Sequence, residues 1–436
     1  MQFRARFISG FLVASLVGAL TVNAQNSLTS QRSGGATETN SADAARLGEL
    51  RAAGFEALYN LDYETARKNF REITRLFPDH PAGSQFLAAT LWAQTLNESR
   101  RLQSSLYNTE SFYEEKEDKP DPRMVEEFRS LTRTAAQLAK ARLRRNPKDV
   151  EALYFLGATE GLKAAFATGV QRSFKAALSD GSSSVDRHRE VLKLDPNFHD
   201  AELTIGLYDY VVGSLPAPVK LLVSLVGARG SKKRGLLTLQ RVADQGSFAR
   251  DDARALLIVL LKREKRYAEA LTISRELGTK YPRNYLFKLE AADALNSIAS
   301  TERQAGRTAE ASKAEGEALA ILDSLLRDRA MREAATRSLD LIHFRYGETL
   351  LNAGQHESAA KEYVAAASVA GAEPGLVTLA HLQAAHAFDL AGKRNDAITQ
   401  YRNVLARPDA SGAHEEAKQG LKEPYKLKNN GKNVGD

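Results

Sequence analysis

From Ala44 onward, apolar residues recur at helical spacing, and no stretch shows the strict alternation of a half-buried strand. Four segments share one grammar of small and large residues. The first runs through Gly54, Ala66, Phe70 and Pro78, the second through Tyr267, Ala270, Leu277 and Pro282. The third is Gly347, Gly354, Ala359 and Tyr363; the fourth is Gly392, Ala397 and Tyr401, closed by Pro408. Gly54 to Ala66 and Gly347 to Ala359 each span 12 positions, and the large residue follows the alanine four positions later in three of the four. Small residues at this spacing let two antiparallel helices approach closely, and the large residue plugs the gap that remains. Proline then stops the second helix, because it has no N–H to donate.

This pattern resembles the tetratricopeptide repeat (TPR), a helix–turn–helix unit of about 34 residues. Weaker units fit between the clear ones. Ala135, Ala139 and Pro147 close one; Leu153, Leu156 and Gly157 open the next, which ends at Leu194-Asp195-Pro196. Ile205, Gly206 and Tyr208 open another, and Leu286 to Leu326 supplies a further pair around the turn Gln304-Ala305-Gly306-Arg307. The resemblance implies an all-α TPR-type helical-hairpin solenoid, a right-handed superhelix of about eight units over residues 44–424, rather than three separate domains. It also implies a concave groove lined by the first helix of each unit. In that register the groove residues are Arg51, Phe55 and Tyr59, then Tyr154 and Tyr210, then Phe344, Glu348 and His386. The expected chemistry is recognition, with aromatic anchors and a few charges holding an extended segment or a helix of a protein partner. The Lys and Asn pair with which some TPR proteins clamp a C-terminal carboxylate is missing, since Phe55 stands where the asparagine belongs.

A narrower stretch, residues 203–290, resembles the inclusion-body clearance proteins, a eukaryotic TPR-containing family. The shared residues run Gly206-Leu207-Tyr208, Gly213-Ser214-Leu215-Pro216, Lys220-Leu221-Leu222, Gly227, Gly230, Arg234-Gly235-Leu236, Leu239 and Tyr281-Pro282-Arg283-Asn284. The resemblance implies a helical repeat with a common middle module. The relatives act inside cells, whereas this chain opens with an export signal, so their role does not transfer.

That signal is Met1 to Ala24: Arg4 and Arg6, an apolar run from Phe7 to Leu20, and Val22-Asn23-Ala24 at the cleavage position. The apolar run is shorter than the roughly 20 residues of a spanning helix. The expected product is an exported chain, periplasmic or secreted, with a flexible Ser/Thr/Asn/Gly-rich leader at 25–43 and a disordered Lys/Asn/Gly-rich tail at 425–436. An insertion at 98–122 carries Tyr107, Phe112, Tyr113 and the acidic run Glu114, Glu115, Glu117 and Asp118. It reads as aromatics packed back on the array or as a partner-binding loop.

Composition narrows the chemistry. The absence of cysteine excludes disulfides, thiolate metal sites and thiol catalysis. Sixty-one Lys plus Arg against 54 Asp plus Glu give a net charge of +7, mild and spread out, so no nucleic-acid partner is expected. None of the eight histidines completes His-Glu-x-x-His: Ala360 follows His356-Glu357 and Lys418 follows His414-Glu415 where the second His belongs. Gly227 to Gly235 is glycine-rich and basic but lacks phosphate-loop spacing, and reads as an inter-helix loop. No Gly-x-Ser-x-Gly elbow is present. The expectation is therefore a non-enzymatic scaffold with no cofactor or metal. The rival is a membrane-surface or envelope-assembly factor, touching lipid weakly through residues 215–235, where the apolar run Leu215–Val226 precedes Lys232, Lys233 and Arg234. As core, that run is a buried helix of the array, the reading its lack of a polar face favours.

Overall fold

The computed structural model describes residues 36–100, 102, 120–171, 173–225 and 229–427. The signal, the insertion's aromatic and acidic residues and Gly227 lie outside the described residues. Among those described, the chain is all-α, with 19 α-helices and no strand. They divide into two compact units, residues 1–284 and 285–436.

Unit 1 holds five hairpins. They are α1 (Ala36–Tyr59) with α2 (Tyr63–Leu76), α3 (Ala82–Glu98) with α4 (Pro122–Arg145), and α5 (Val150–Gly169) with α6 (Phe174–Leu194). Then follow α7 (Glu202–Ser214) with α9 (Lys232–Gln245), interrupted by the short α8 (Ala217–Leu225), and α10 (Arg250–Arg263) with α11 (Tyr267–Lys280). Unit 2 pairs α12 (Tyr285–Gln304) with α13 (Thr308–Arg327), α15 (Leu339–Asn352) with α16 (His356–Ser368), and α17 (Pro374–Leu390) with α18 (Arg394–Leu405). The single turn-and-a-half α14 (Arg329–Ala334) links the first two of these, and α19 (Ala413–Lys422) packs on the last. Eight hairpins agree with the eight repeat units the spacing predicts. Helix α1 begins at Ala36, so residues 36–43 extend the first helix rather than belonging to a flexible leader.

The hairpins close as the small-against-large spacing dictates. A Cβ built on Gly54 meets the Phe70 ring at 2.2 Å, and one on Gly347 meets Tyr363 at 3.0 Å. The same pairing recurs between Gly420 of α19 and Tyr401 of α18, at 2.2 Å. Phe70 then packs with Phe55 and Phe86, ring centroids 5.1 and 5.2 Å away, joining the first hairpin to the second. In the middle module the approach is tighter still. Gly206 of α7 and Gly235 of α9 lie backbone to backbone, and Gly230 sits against the Asp209 carbonyl and Val212. This accounts for Gly206, Gly213, Gly230 and Gly235: they are points of close approach between α7 and the segment leading into and along α9, and a Cβ on Gly230 or Gly235 has no room.

Five hairpin turns share one backbone form. A left-handed residue stands two positions before the second helix in each: Leu61, Lys265, Gly306, Gly354 and Gly392. The following N–H reaches back to a carbonyl five residues earlier, as Asp62 does to Ala57, Arg266 to Leu261 and Gln355 to Leu350. Prolines end second helices from just outside, with Phe77, Asn146, Asp195 and Tyr281 as C-caps before Pro78, Pro147, Pro196 and Pro282.

Helix α8 departs from the expectation of a buried core helix. Leu221 is 66% exposed, and Ala217 and Pro218 are also open to solvent. Nor does the C-terminal segment start as disordered at Tyr425, because that residue is anchored on α17 through His386 and Asp389.

Two substitutions probe these constraints in opposite directions. Gly54→Ala forces Phe70 out of its seat and lowers stability by about 1–3 kcal/mol. Exposed Lys265→Gly relieves a left-handed residue and raises stability by up to about 1 kcal/mol. Chemical denaturation followed by far-ultraviolet circular dichroism measures both.

Candidate functional site

The predicted groove residues of α1 do not line an open surface. Arg51, Phe55 and Tyr59 lie on successive turns of one stripe, and unit 1 closes over that stripe. The Arg51 guanidinium stacks 3.9 Å above the Phe248 ring, just before α10. Phe55 is core, 4.9 Å from Phe86. Tyr59 stacks on Tyr281 at 4.8 Å, and its hydroxyl donates to the Asp252 carboxylate. Below it, the Asn284 amide donates to the Tyr59 carbonyl at 2.7 Å and the Arg283 N–H to Asn60 Oδ1 at 3.1 Å. The first hairpin thus meets the fifth directly.

Three carboxylates are buried in this junction. Asp200 accepts N–H donors from Ser247, Phe248 and Ala249, which tie the turn before α10 to the start of α7. Burial nevertheless raises its pKa, and Arg51 draws it back. Asp251 accepts from the Tyr281 hydroxyl at 2.6 Å and pairs with Lys280. Asp252 is more strongly affected: burial raises its pKa well above the usual 3.8, and the nearby Asp251 and Asp200 push the same way. Burial also lowers Arg51 to about 10, still a cation at neutral pH, with Glu151, Tyr154 and Asp200 opposing the shift. On the neighbouring rim, burial works against the Glu151 carboxylate, but His80 and Arg142 overcome it and hold the group down at about 2.

Tyr154 and Tyr210 are fully buried as well. Tyr154 packs against His188 and Phe198 at 5.3 and 4.9 Å. The Tyr210 hydroxyl donates to Glu264 Oε1 at 2.7 Å, an oxygen it shares with Lys232 Nζ. These five residues of unit 1 sit at groove register yet serve the interior. The sequence signal is the same in both cases: aromatic and charged side chains at one helical stripe.

Unit 2 differs. On α15, Phe344 is half-buried, edge-on to Tyr363 at 5.2 Å, and one turn later the Glu348 side chain is 41% exposed. Arg345 bridges Glu348 (2.7 Å) and Asp293 of α12 (3.7 Å). Burial alone would lower the Arg345 pKa, but Asp293, Glu348 and Glu290 raise it, so the cation is fixed. His386 occupies on α17 the register that Glu348 has on α15, because Ala385 precedes Ala397 by the same 12 positions that separate Gly347 and Ala359. It is buried beneath Tyr425, whose ring lies 3.9 Å away at 15°, and burial lowers its pKa to about 4. Of the eight predicted residues, the structure brings Arg51 and the half-buried Tyr59 into one junction and leaves Phe344 and Glu348 partly open together on α15. Sequence reasoning gave no site role to Asp200, Asp251, Asp252 and Tyr425, which lack a spacing motif of their own, nor to Tyr281, named there only within the resemblance over residues 203–290.

No family model matches the sequence, and no curated protein matches it. Among solved structures the chain is similar to the human IFIT1 dimer with m7Gppp-AAAA, at 13% identity over 85% of this chain and 80% of that one, TM-score 0.41. It is also similar to yeast Tom70, at 12% identity over 88% and 92% with TM-score 0.32. A tetratricopeptide repeat protein from Parabacteroides merdae gives 14% identity over 77% and 99%, TM-score 0.28. The TPR resemblance of this chain rests on its own hairpins: the spacing, the turns and the glycine–ring contacts.

The buried junction has a pH signature. A carboxyl whose folded pKa is raised binds its proton more tightly folded than unfolded, so it stabilises at low pH and that stability is lost as pH rises through the window above 3.8. Asp252→Asn removes the loss while keeping an acceptor for Tyr59. Its melting temperature gains on the wild type between about pH 5 and about pH 8. Asp252→Ala, which leaves the Tyr59 hydroxyl without its acceptor, melts below the wild type at both.

Proposed function

We propose that this chain is an exported, non-enzymatic helical-repeat scaffold that binds protein partners in the cell envelope, with unit 2 as its recognition element. The observation that carries the reading is the display on α15. Phe344 offers a half-exposed ring, Glu348 an exposed carboxylate one turn away, and Arg345 is clamped between Asp293 and Glu348 so that the charges are fixed before a partner arrives. Preset charges beside an aromatic anchor lose little freedom on binding, which favours recognition of a segment with an apolar side chain next to a basic one. Export rests on the Met1–Ala24 pattern, and the processed chain is expected to begin at Gln25.

A second reading has one observation in its favour. Helix α8 exposes Leu221, and Leu237 of α9 is 59% exposed, two apolar side chains open to a lipid surface. Its charges are less suited. Lys232 is paired with Glu264 at 2.7 Å and Arg234 grips Asp209 with two nitrogens, so two of the three basic residues beside that surface are already engaged. No helix among the described residues is long and apolar enough to cross a membrane.

Crosslinking in cells followed by mass spectrometry tests the scaffold. The wild type retains discrete proteins, and a folded Phe344→Ala, Glu348→Lys variant loses at least about fivefold of them, about 1 kcal/mol of binding. Equal retention by both chains overturns the assignment of unit 2. Flotation with anionic vesicles decides the second reading: the scaffold stays in the soluble fraction, whereas flotation abolished by Leu221→Glu supports lipid contact.

A further inference from the structure

Beyond α19 the chain runs extended and returns across unit 2. Glu423 takes φ −140° and ψ 145°, and Pro424 after it supplies no N–H. Tyr425 is then seated at two points. Its N–H donates to Asp389 Oδ2 at 2.8 Å, and its ring stacks on His386. Its neighbours Glu423, Pro424, Lys426 and Leu427 are all exposed. Glu423 is tied back to Gln419 of α19, through its own N–H at 3.1 Å and through Gln419 Nε2 at 3.2 Å, and beyond it the contacts are the Tyr425 ring and the Tyr425 N–H.

The receiving face is built independently of that segment. The Asp389 side chain has no exposed surface, and is fixed by the Arg394 guanidinium at 2.9 and 3.1 Å and by the Tyr401 hydroxyl at 2.8 Å. Arg394 in turn caps the Gly420 and Leu421 carbonyls at the end of α19. A fixed carboxylate oxygen that accepts a backbone N–H reads no sequence, only an extended chain. With Tyr425 seated on it, burial lowers the His386 pKa to about 4, so the ring in the occupied site is uncharged, and its flat face suits an aromatic partner. Glu416 stands 3.9 Å from His386, with its carboxylate exposed at the rim, where a basic flank such as Lys426 is favoured.

We propose that this face of unit 2 is a binding site for an extended segment carrying an aromatic residue with a basic neighbour, and that Glu423–Lys426 is its resident occupant. The segment acts as an internal stand-in for a partner's, and a partner of the same chemistry displaces it. The proposal deepens the reading of unit 2 as the recognition element and rests on it. A tethered segment competes at an effective concentration on the order of millimolar. A peptide that binds the free face with a dissociation constant near ~0.1 mM therefore binds the occupied chain about tenfold more weakly.

The test uses full-length chains and a fluorescent peptide spanning Leu421–Leu427. Fluorescence anisotropy is expected to show at least about fivefold tighter binding to the Tyr425→Ala chain than to the wild type. The peptide with its own tyrosine changed to alanine binds neither. Adding His386→Ala to the Tyr425→Ala chain abolishes binding. Equal, weak binding to wild type and Tyr425→Ala, both folded by circular dichroism, overturns the proposal and leaves Tyr425 as a cap of the fold. A second measurement needs no variant. A peptide with a photoreactive phenylalanine in place of the tyrosine should crosslink the wild-type chain within residues 382–390, competed by excess plain peptide. Crosslinks elsewhere also overturn it. The Phe344 and Glu348 capture experiment leaves Tyr425 untouched, so failure here and failure of the scaffold reading are distinguishable.

Discussion

The fold depends on one steric condition, repeated along the chain. Where two helices of a pair cross, one carries no more than a hydrogen or a methyl, and the other fills the space with a ring. Gly54 with Phe70, Gly347 with Tyr363 and Gly420 with Tyr401 are three instances. The condition brings helix axes close enough for a continuous apolar layer, which no single hairpin of this size could enclose alone. It also fixes register. Once the small residue is placed, the stripe three positions before it and one after it faces the neighbouring hairpins.

What that stripe then does differs between the units. In unit 1 it turns into interior. Arg51 and Tyr59 meet Phe248, Asp252 and Tyr281, and of the three carboxylates taken out of water there Asp252 holds the first hairpin against the fifth, while Asp200 ties the fifth to the start of α7 and Asp251 pairs within the fifth. Buried carboxylates are costly in isolation and specific in company. Asp200 accepts from three backbone N–H groups, and Asp251 Oδ2 from a tyrosine and a lysine. In unit 2 the corresponding stripe remains half open at Phe344 and Glu348, and its next position, His386, is covered by the chain's own tyrosine.

The hairpins were legible because their information is local. Twelve-residue and four-residue spacings, and prolines after helix ends, express contacts between residues close in sequence. The eroded units were legible for the same reason, down to the turn at Gly306. The closure of unit 1 was not. Tyr59 and Asp252 are 193 residues apart, and an aromatic at groove register has the same appearance whether it faces solvent or a distant helix. Two of the five left-handed turns were hidden because Leu61 and Lys265 stand where glycine would have announced them. At the C-terminus composition gave no sign that Tyr425, at the head of a stretch rich in Lys and Asn, is seated on His386 and Asp389. The exposure of α8 has a similar origin, since an apolar run of this length reads identically as core or as surface.

The junction between the first and fifth hairpins has a consequence in time. Helix α1 is made well before α10, yet the groups that shield its Arg51 and Tyr59 arrive only with residues 248–284. At a synthesis rate of about 5–20 residues per second, the 193 residues between Tyr59 and Asp252 take on the order of ten to forty seconds. Throughout that interval Arg51 and the Tyr59 ring wait without their partners, on a helix that can already fold with α2 and whose Phe55 already packs with Phe70 and Phe86. A nascent chain of this kind carries its most vulnerable surface at its leading end. It is there that a holding chaperone, or a premature pairing with another copy, has its longest opportunity to act.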